Sequence, residues 1–432
     1  MKNRKLLIAG FLSVLCLASF GQEKLVLGLE DAVNYAIEYN KQVENADLAV
    51  LEAQKKINEN IFSGLPQVSA TVDYSNFMGA KMELNFAEGA PPQVIPFNPT
   101  SNFKLTVGQL LFSGSYIVGL QAAKLYKELS VTNLQKTEQD IKEQVTKSYL
   151  LVLVSERSIE IINQNLENTR EIYEKTKVMA VVGVAEKLDV DQFEVQLNSL
   201  ENAQKSAERQ SEMAYNVLRL QLGVGVNTAI ELTDSLSALV TQCQTDEISN
   251  DPFQLNNNLD YQLMLTQVEL AKKQKDLMIM NYLPTVTGFY SYTYKILKPE
   301  LDFSPKNVIG LNVDIPILSS GMRNAQFSQA RIQYETAQNN KDLVSDQLLV
   351  QEKQYRYNLK NAFEQYENRM NNVDVAYRVY QNYQLKFEQG IASSLDVATS
   401  NSNYLQAESD YVSAIMNLYD SYLALQKLLN SL

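Results

Sequence analysis

Any chemistry performed by this 432-residue sequence rests on carboxylates, because the chain contains no histidine. The absence of histidine removes the commonest general base, the commonest metal ligand and the Ser-His-Asp arrangement together. Two aspartates stand out, Asp189 and Asp396, because each lies in a Leu-Asp-Val segment six residues after a glycine. Ser393 and Asp396 also form the Ser-x-x-Asp pattern that begins many helices. The sequence therefore predicts no catalytic residue, no metal site and no cofactor.

The charge balance excludes a further class of partner. The chain has 50 acidic and 38 basic residues, which gives a formal net charge of −12. A surface of this sign repels polyanions. We therefore expect no nucleic acid partner.

The first 21 residues have the composition of an export signal. Lys2, Arg4 and Lys5 precede an apolar run at 6–20, and Gly21 follows it. The run is shorter than the roughly 20 residues that a helix needs to span a bilayer. We interpret residues 1–21 as a cleaved signal peptide. Export would leave Cys243 as the one remaining cysteine, so no internal disulfide is expected.

The elements that carry the two aspartates are duplicated. Gly183 and Gly390 are 207 positions apart, and the same offset relates Gly114 to Gly321. The constant offset predicts a first repeat at 22–240 and a second at 257–432. The stretch at 241–256 is then a linker or equatorial element.

Each repeat is expected to contain a helix, two strands, a long helix and a last helix. A Leu-Pro pair stops the first helix in each repeat, because proline cannot continue the hydrogen-bonding pattern. The predicted strands lie at about 66–76, 102–112, 284–295 and 307–317, and the predicted long helices at about 115–180 and 322–388.

The four strand segments alternate between apolar and polar residues, as in a sheet with one apolar face. After the signal peptide no apolar run reaches 18 residues, so a membrane-spanning part must consist of strands. Four strands are too few to close a membrane barrel, for which single chains use at least about eight. Several copies must therefore share one barrel, and three copies would supply twelve strands.

The long helices carry an apolar residue at every seventh position, for example at Val145, Val152 and Ile159. This spacing is typical of coiled coils. Helices of about 66 residues at about 1.5 Å per residue would extend about 100 Å.

This order of features resembles the TolC-like outer-membrane efflux protein family. The resemblance is carried by the duplicated Gly-x-x-x-x-Leu-Asp-Val segments and by the strand pairs that end before Gly114 and Gly321. It implies a mainly α protein with a small membrane β part. Three copies would form a 12-stranded outer-membrane β-barrel on a long periplasmic α-helical barrel. It also implies an exit duct for a tripartite efflux or type I secretion system.

The resemblance further implies four kinds of partner: two more copies of the chain, outer-membrane lipid, a periplasmic adaptor (membrane fusion) protein, and an inner-membrane pump or ABC exporter. The adaptor would dock at the two turns between long helices. The docking residues would be Val182, Gly183, Val184, Ala185, Gln389, Gly390, Ile391 and Ala392.

Family members narrow the periplasmic entrance with aspartate rings. By position, Asp396 is the candidate ring residue and Asp189 its first-repeat counterpart. The sequence departs from the family at Thr399, where a second aspartate is expected. It departs again at Phe387 and Ala392, where tyrosine and arginine help to hold the entrance closed. The family's closure mechanism therefore cannot be carried over intact, and these departures favour closure by apolar packing around Phe387 instead.

Two alternatives remain open at this stage. A periplasmic coiled-coil scaffold or adaptor without a pore would also carry long heptad helices. The other alternative is a secreted enzyme that uses carboxylates.

Overall fold

The computed structural model describes residues 24–84, 93–245, 252–298, 302 and 304–432. The predicted signal peptide and residues 246–251 of the predicted linker lie outside the described residues. Within these ranges, none of the helices combines the length and the apolar character that crossing a membrane requires.

The chain passes twice through one order of elements. The first pass comprises β1 (Leu25–Leu27), α1 (Leu29–Tyr39), α2 (Lys41–Ser63), β2 (Gln67–Ser75), β3 (Lys81–Leu84), β4 (Gln93–Pro96), β5 (Thr100–Phe112), α3 (Gly114–Val181), α4 (Lys187–Leu222), β6 (Ile230–Leu232) and α5 (Leu236–Thr245). The second comprises a 3-10 turn (Leu255–Asn257), α6 (Leu259–Met280), β7 (Thr285–Leu297), β8 (Asn307–Asp314), α7 (Met322–Glu388) and α8 (Ser394–Leu429). The predicted order of helix, two strands, long helix and last helix is confirmed in both passes.

The first helix is interrupted, and the prediction of one helix from Glu30 to Phe62 was wrong on this point. Asn40 has φ −69° and ψ 130°, which is extended backbone. Its buried side-chain amide donates to the carbonyl oxygen of Gln221 at 2.7 Å. This contact lies 181 residues away in sequence, so local periodicity could not reveal it.

Four strands form one antiparallel sheet in the order β2-β5-β7-β8. Its register places Val72 opposite Phe103, and Phe103 opposite Tyr294. Because directly opposite residues share a face, the predicted apolar alternation continues across the strands. β8 ends at Asp314, whereas the alternation predicted a strand to 317. Pro316 explains the early end, because proline lacks the N–H group that a ladder uses.

Three small elements were not anticipated. β1 and β6 form a parallel pair in which Leu25 lies opposite Ile230. β3 and β4 form a separate antiparallel hairpin in the β2–β5 connection. α5 occupies Leu236–Thr245, where the sequence predicted in part a linker.

The chain divides into two compact units, each of which draws on both passes. Unit 1 comprises Met1–Asn40, Gln144–Thr245 and Tyr366–Tyr419, of which residues 24 onwards are described. Unit 2 comprises Lys41–Glu143, Asp246–Gln365 and Asp420–Leu432 and contains the four-stranded sheet. The repeat boundaries at 240 and 257 stay a prediction.

The core of unit 1 lies along the predicted heptad positions. Val145 and Val152 of α3 are fully buried, and so is Tyr149 between them. Tyr366, Tyr380 and Phe387 of α7 are buried as well. The apolar seam therefore faces the helix packing, as a coiled-coil pattern requires.

Candidate functional site

Unit 1 contains the two turns at which the long helices end, which we call the first tip (182–185) and the second tip (389–392). Gly183 has φ 78° and Gly390 has φ 71°. Both angles lie in the left-handed region, which glycine adopts without steric cost. After Gly183, Val184 donates its N–H to Met179 O at 2.9 Å, and after Gly390, Ile391 donates to Lys386 O at 2.8 Å. The two tips therefore share one helix-ending geometry, as the offset of 207 predicts.

The first tip presents apolar side chains to solvent. Val182 and Val184 are each 68 % exposed, and Val181, the last residue of α3, is 88 % exposed. At the second tip Ile391 is 69 % exposed, while Gln389 and Gly390 are exposed and Ala392 is partly covered. Exposed apolar residues beside small ones form a surface onto which another helix can pack. These eight residues stay a predicted docking site.

Asp189 and Asp396 occupy equivalent positions one turn into α4 and α8. Asp189 Oδ2 accepts the N–H of Glu186 at 3.0 Å, and Asp396 Oδ2 accepts the N–H of Ser393 at 3.0 Å. Ser393 also donates its hydroxyl to Asp396 at 2.8 Å. The N–H and hydroxyl of Ser393 lower the pKa of Asp396 below its usual value. Each aspartate thus holds the start of its helix, and the exposed Asp396 remains charged.

Asp189 and Asp396 differ in what else they contact. The buried Ser394 lies within hydrogen-bond distance of Asp189 Oδ1 and 2.6 Å from the side-chain oxygen of Gln192. The Ser394 hydroxyl has one proton, and we assign it to the hydrogen bond that Ser394 donates to Asp189 Oδ1. With the Gln192 amide reversed, its NH₂ group can donate to the Ser394 oxygen. This contact connects α8 to α4 beside the tips. The spacing of residues in the sequence did not predict it.

Phe387 lies in an apolar cluster at the same end of unit 1. The cluster contains Ile172, Phe193, Tyr380, Phe387 and Val397. The rings of Phe193 and Phe387 meet edge to face with centroids 5.4 Å apart. Four helices, α3, α4, α7 and α8, each contribute to this cluster.

Two further candidates complete the predicted set. Ala392 packs against this apolar cluster, whereas Thr399 is exposed and outside it. The structure thus brings Phe387 and Ala392 together and places Thr399 elsewhere. Among the described residues no group of three or more histidine, cysteine or acidic side chains could hold a metal ion.

A groove of about 600 Å³ runs between the last turns of α3 and α7. Its lining includes Ile172, Val178, Met179 and Phe387. At its rim Lys175 Nζ lies 3.0 Å from the carboxylate of Glu388. The groove therefore has an apolar floor and a charged edge. It is formed by the last turns of the two helices, just before the tips in sequence.

The family assignment follows from the length of the match. The family model described as outer membrane efflux protein matches residues 32–224 and 254–431. The chain belongs to this family. No curated protein matches it in sequence.

Solved structures of outer membrane proteins and channels share the fold. The outer membrane protein VceC of Vibrio cholerae is 16 % identical, with 93 % of this chain and 95 % of that chain covered and a TM-score of 0.74. The CmeC outer membrane channel of Campylobacter jejuni is 15 % identical, with 93 % and 85 % covered and a TM-score of 0.72. The MtrE outer membrane channel of Neisseria gonorrhoeae, solved in an open state, is 16 % identical, with 93 % and 88 % covered and a TM-score of 0.71.

The predicted TolC-like family and the predicted mainly α fold with a small β part are confirmed. This outer membrane efflux protein is located in the outer membrane of a Gram-negative cell and extends into the periplasm. Its relatives are channels rather than enzymes.

Proposed function

We propose that this outer membrane efflux protein is the passive exit duct of a tripartite efflux or type I secretion system. Three copies form one twelve-stranded barrel in the outer membrane, and their long helices form a tunnel through the periplasm. The protein performs no catalysis, because the pump selects and drives the cargo.

The four-stranded sheet is the observation that carries this proposal. Within the described sheet, β2 and β8 each pair with one neighbouring strand. Both edge strands are almost entirely exposed, and Ile309 on β8 is 85 % exposed. In lipid, an unpaired strand edge leaves backbone groups unsatisfied at a cost of several kcal/mol each. Pairing β2 of one copy with β8 of the next removes both edges and repeats around a ring.

The oligomer and its conductance test this function. We expect outer-membrane fractions to contain a trimer that dissociates only on heating, and the purified trimer to conduct ions in planar bilayers. A pore-free periplasmic scaffold would instead purify without detergent and leave bilayers insulating. That result would overturn the duct.

The two tips and the groove above them support docking of a periplasmic adaptor. An adaptor helix with apolar residues on one face fits the exposed valines of the first tip and the floor of the groove. A helical partner in a groove gains mainly from such apolar contacts. Lys175 and Glu388 at the rim then restrict the orientation in which the adaptor binds.

The first turn of α8, just after the second tip, supports an entrance with a charged ring. Three copies of Asp396 around a narrow opening would attract cations. The Asp396→Asn variant keeps an oxygen for the N–H of Ser393 but loses the charge, so we expect a weaker cation preference with an unchanged trimer. Reversal potentials in a salt gradient measure this preference.

The control for the Asp396 variant is Asp191→Asn, which removes an exposed carboxylate near the other tip. It should leave the preference unchanged. Because the pKa of Asp396 is lowered from its usual value, the parent should keep its cation preference at mildly acidic pH. Equal selectivity of the parent and Asp396→Asn would refute the ring.

A further inference from the structure

One polar contact interrupts the apolar seam between the two helical hairpins of unit 1. Asn165 of α3 is 2 % exposed and Asn401 of α8 is 1 % exposed. Asn165 donates its amide N–H to Asn401 Oδ1 at 2.6 Å, and Asn401 donates to Asn165 Oδ1 at 2.9 Å. Each side chain thus satisfies the other. Thr169 adds a hydroxyl 3.3 Å from Asn165 Oδ1.

The contact joins two different levels of the hairpins. Asn165 lies 18 residues before Gly183, whereas Asn401 lies 11 residues after Gly390. The contacting levels therefore differ by seven residues. Phe193 and Phe387 show the same difference, because Phe193 lies ten residues after Gly183 and Phe387 lies three before Gly390.

The contacts closer to the tips have the same sign. Lys175 meets Glu388 with a difference of six residues, and Gln192 meets Ser394 with a difference of five. Asp189 meets Ser394 with a difference of two. The first tip therefore projects beyond the second. Differences of two to seven residues at about 1.5 Å per residue correspond to about 3–10 Å along the helix axis.

A stagger of seven residues equals one heptad of the apolar seam. Since apolar residues recur every seven positions, the seam alone fits about as well after a shift of one heptad. Such a shift would bring the tips level and place Asn401 against Ile172. The two amides would then lose their mutual hydrogen bonds and Asn401 would face an apolar side chain, which makes the shifted pairing costly. A buried asparagine is a well-attested way to fix coiled-coil register.

We infer that Asn165 and Asn401 are positioning residues that hold the two hairpins one heptad out of step. The pair keeps the first tip projecting and the second recessed, so that the two tips are unequal partners for docking. The inference that the two tips dock unequally rests on the proposed function, whereas the inference about the register does not.

Paired cysteines can report the register in the full chain. In a Cys243→Ser background, Lys175→Cys with Glu388→Cys reports the native register, since these side chains touch. Val182→Cys with Glu388→Cys reports a register shifted by one heptad, because residue 182 is seven positions beyond 175. All three side chains are exposed, so a short bismaleimide can reach them.

The decisive variant is Asn165→Leu with Asn401→Leu. We expect the ratio of native to shifted cross-link to fall about tenfold, which corresponds to 1.4 kcal/mol. The thermal midpoint should meanwhile stay near that of the parent, because the two polar partners leave together. The single variant Asn401→Leu should lower the midpoint, since it strands the buried amide of Asn165.

The matched control is Thr176→Val, which removes a fully buried hydroxyl that donates to Ile172 O within α3. It should leave the cross-link ratio unchanged. If the double leucine variant does not assemble, Asn165→Ala with Asn401→Ala is scored in the same way. An unchanged ratio in a folded double variant overturns the inference.

The cross-links need no adaptor, so the inference and the proposed function fail separately. If the ratio of native to shifted cross-link falls in a chain that binds no adaptor, the role of Asn165 and Asn401 in the register is still supported. If the ratio is unchanged in a chain that binds an adaptor, the proposed function as an exit duct is still supported.

Discussion

Replacing both tip glycines by valine, Gly183→Val with Gly390→Val, should abolish cross-linking to a periplasmic adaptor while the trimer persists. A Cβ atom at either position would meet nothing within 4 Å, so the effect is not a clash. It arises from the backbone, since left-handed angles cost a side-chain-bearing residue about 1–2 kcal/mol and a β-branched one more. The turns would reopen and the valines at the first tip would move. A photo-cross-linker at Gln389, with a co-expressed adaptor, measures the loss.

Gly321 provides the matched control for this variant. It has φ 86° and the same open surroundings, but it precedes α7, whereas Gly390 follows it. Gly321→Val should therefore retain cross-linking. Asparagine tolerates left-handed angles, so Gly183→Asn with Gly390→Asn should retain much of the docking. Full cross-linking of the double valine variant would contradict docking at the tips.

Replacing Phe387 by alanine should open the entrance. Phe387 packs against Phe193 in a cluster to which four helices contribute, and removing a buried phenylalanine costs about 3–5 kcal/mol. The two hairpins should then separate more readily, and single-channel conductance in planar bilayers should rise. Cells should also become more sensitive to large antibiotics that the closed outer membrane excludes.

Tyr380→Phe is the control in the same cluster. Burial raises the pKa of Tyr380 to about 12, and within the described residues its hydroxyl has no hydrogen-bond partner. Removing that hydroxyl should leave conductance unchanged and be neutral or stabilising by about 1 kcal/mol. A Phe387→Ala channel with the parent conductance would show that apolar packing does not close the entrance.

The sequence predicted those parts of the fold that local patterns determine. Leu-Pro pairs end helices, alternation marks strands, and left-handed glycines repeat at a fixed offset. These features recovered the order of elements and the bounds of α3 and α7 to within about one residue.

What the sequence could not show depends on contacts between distant segments. The break at Asn40 needs Gln221, and the tie at Ser394 needs Asp189 and Gln192. The periodic spacing of apolar residues does not predict contacts between such distant residues. The role of Asp396 was open between ring and cap for the same reason. The structure shows the cap, and selectivity measurements must test the ring.

The division into two interleaved units has a consequence for biogenesis. Unit 1 begins with the first segments of the chain and is completed only by Tyr366–Tyr419. Unit 2 is completed only by Asp420–Leu432. Unit 1 therefore cannot close before Tyr419 has been translocated, and unit 2 cannot close before the segment Asp420–Leu432 has followed. Such late closure leaves the apolar seams open during export. We expect periplasmic chaperones to hold this chain until translocation ends, and a truncation before residue 366 to be degraded rather than to persist as a half-protein.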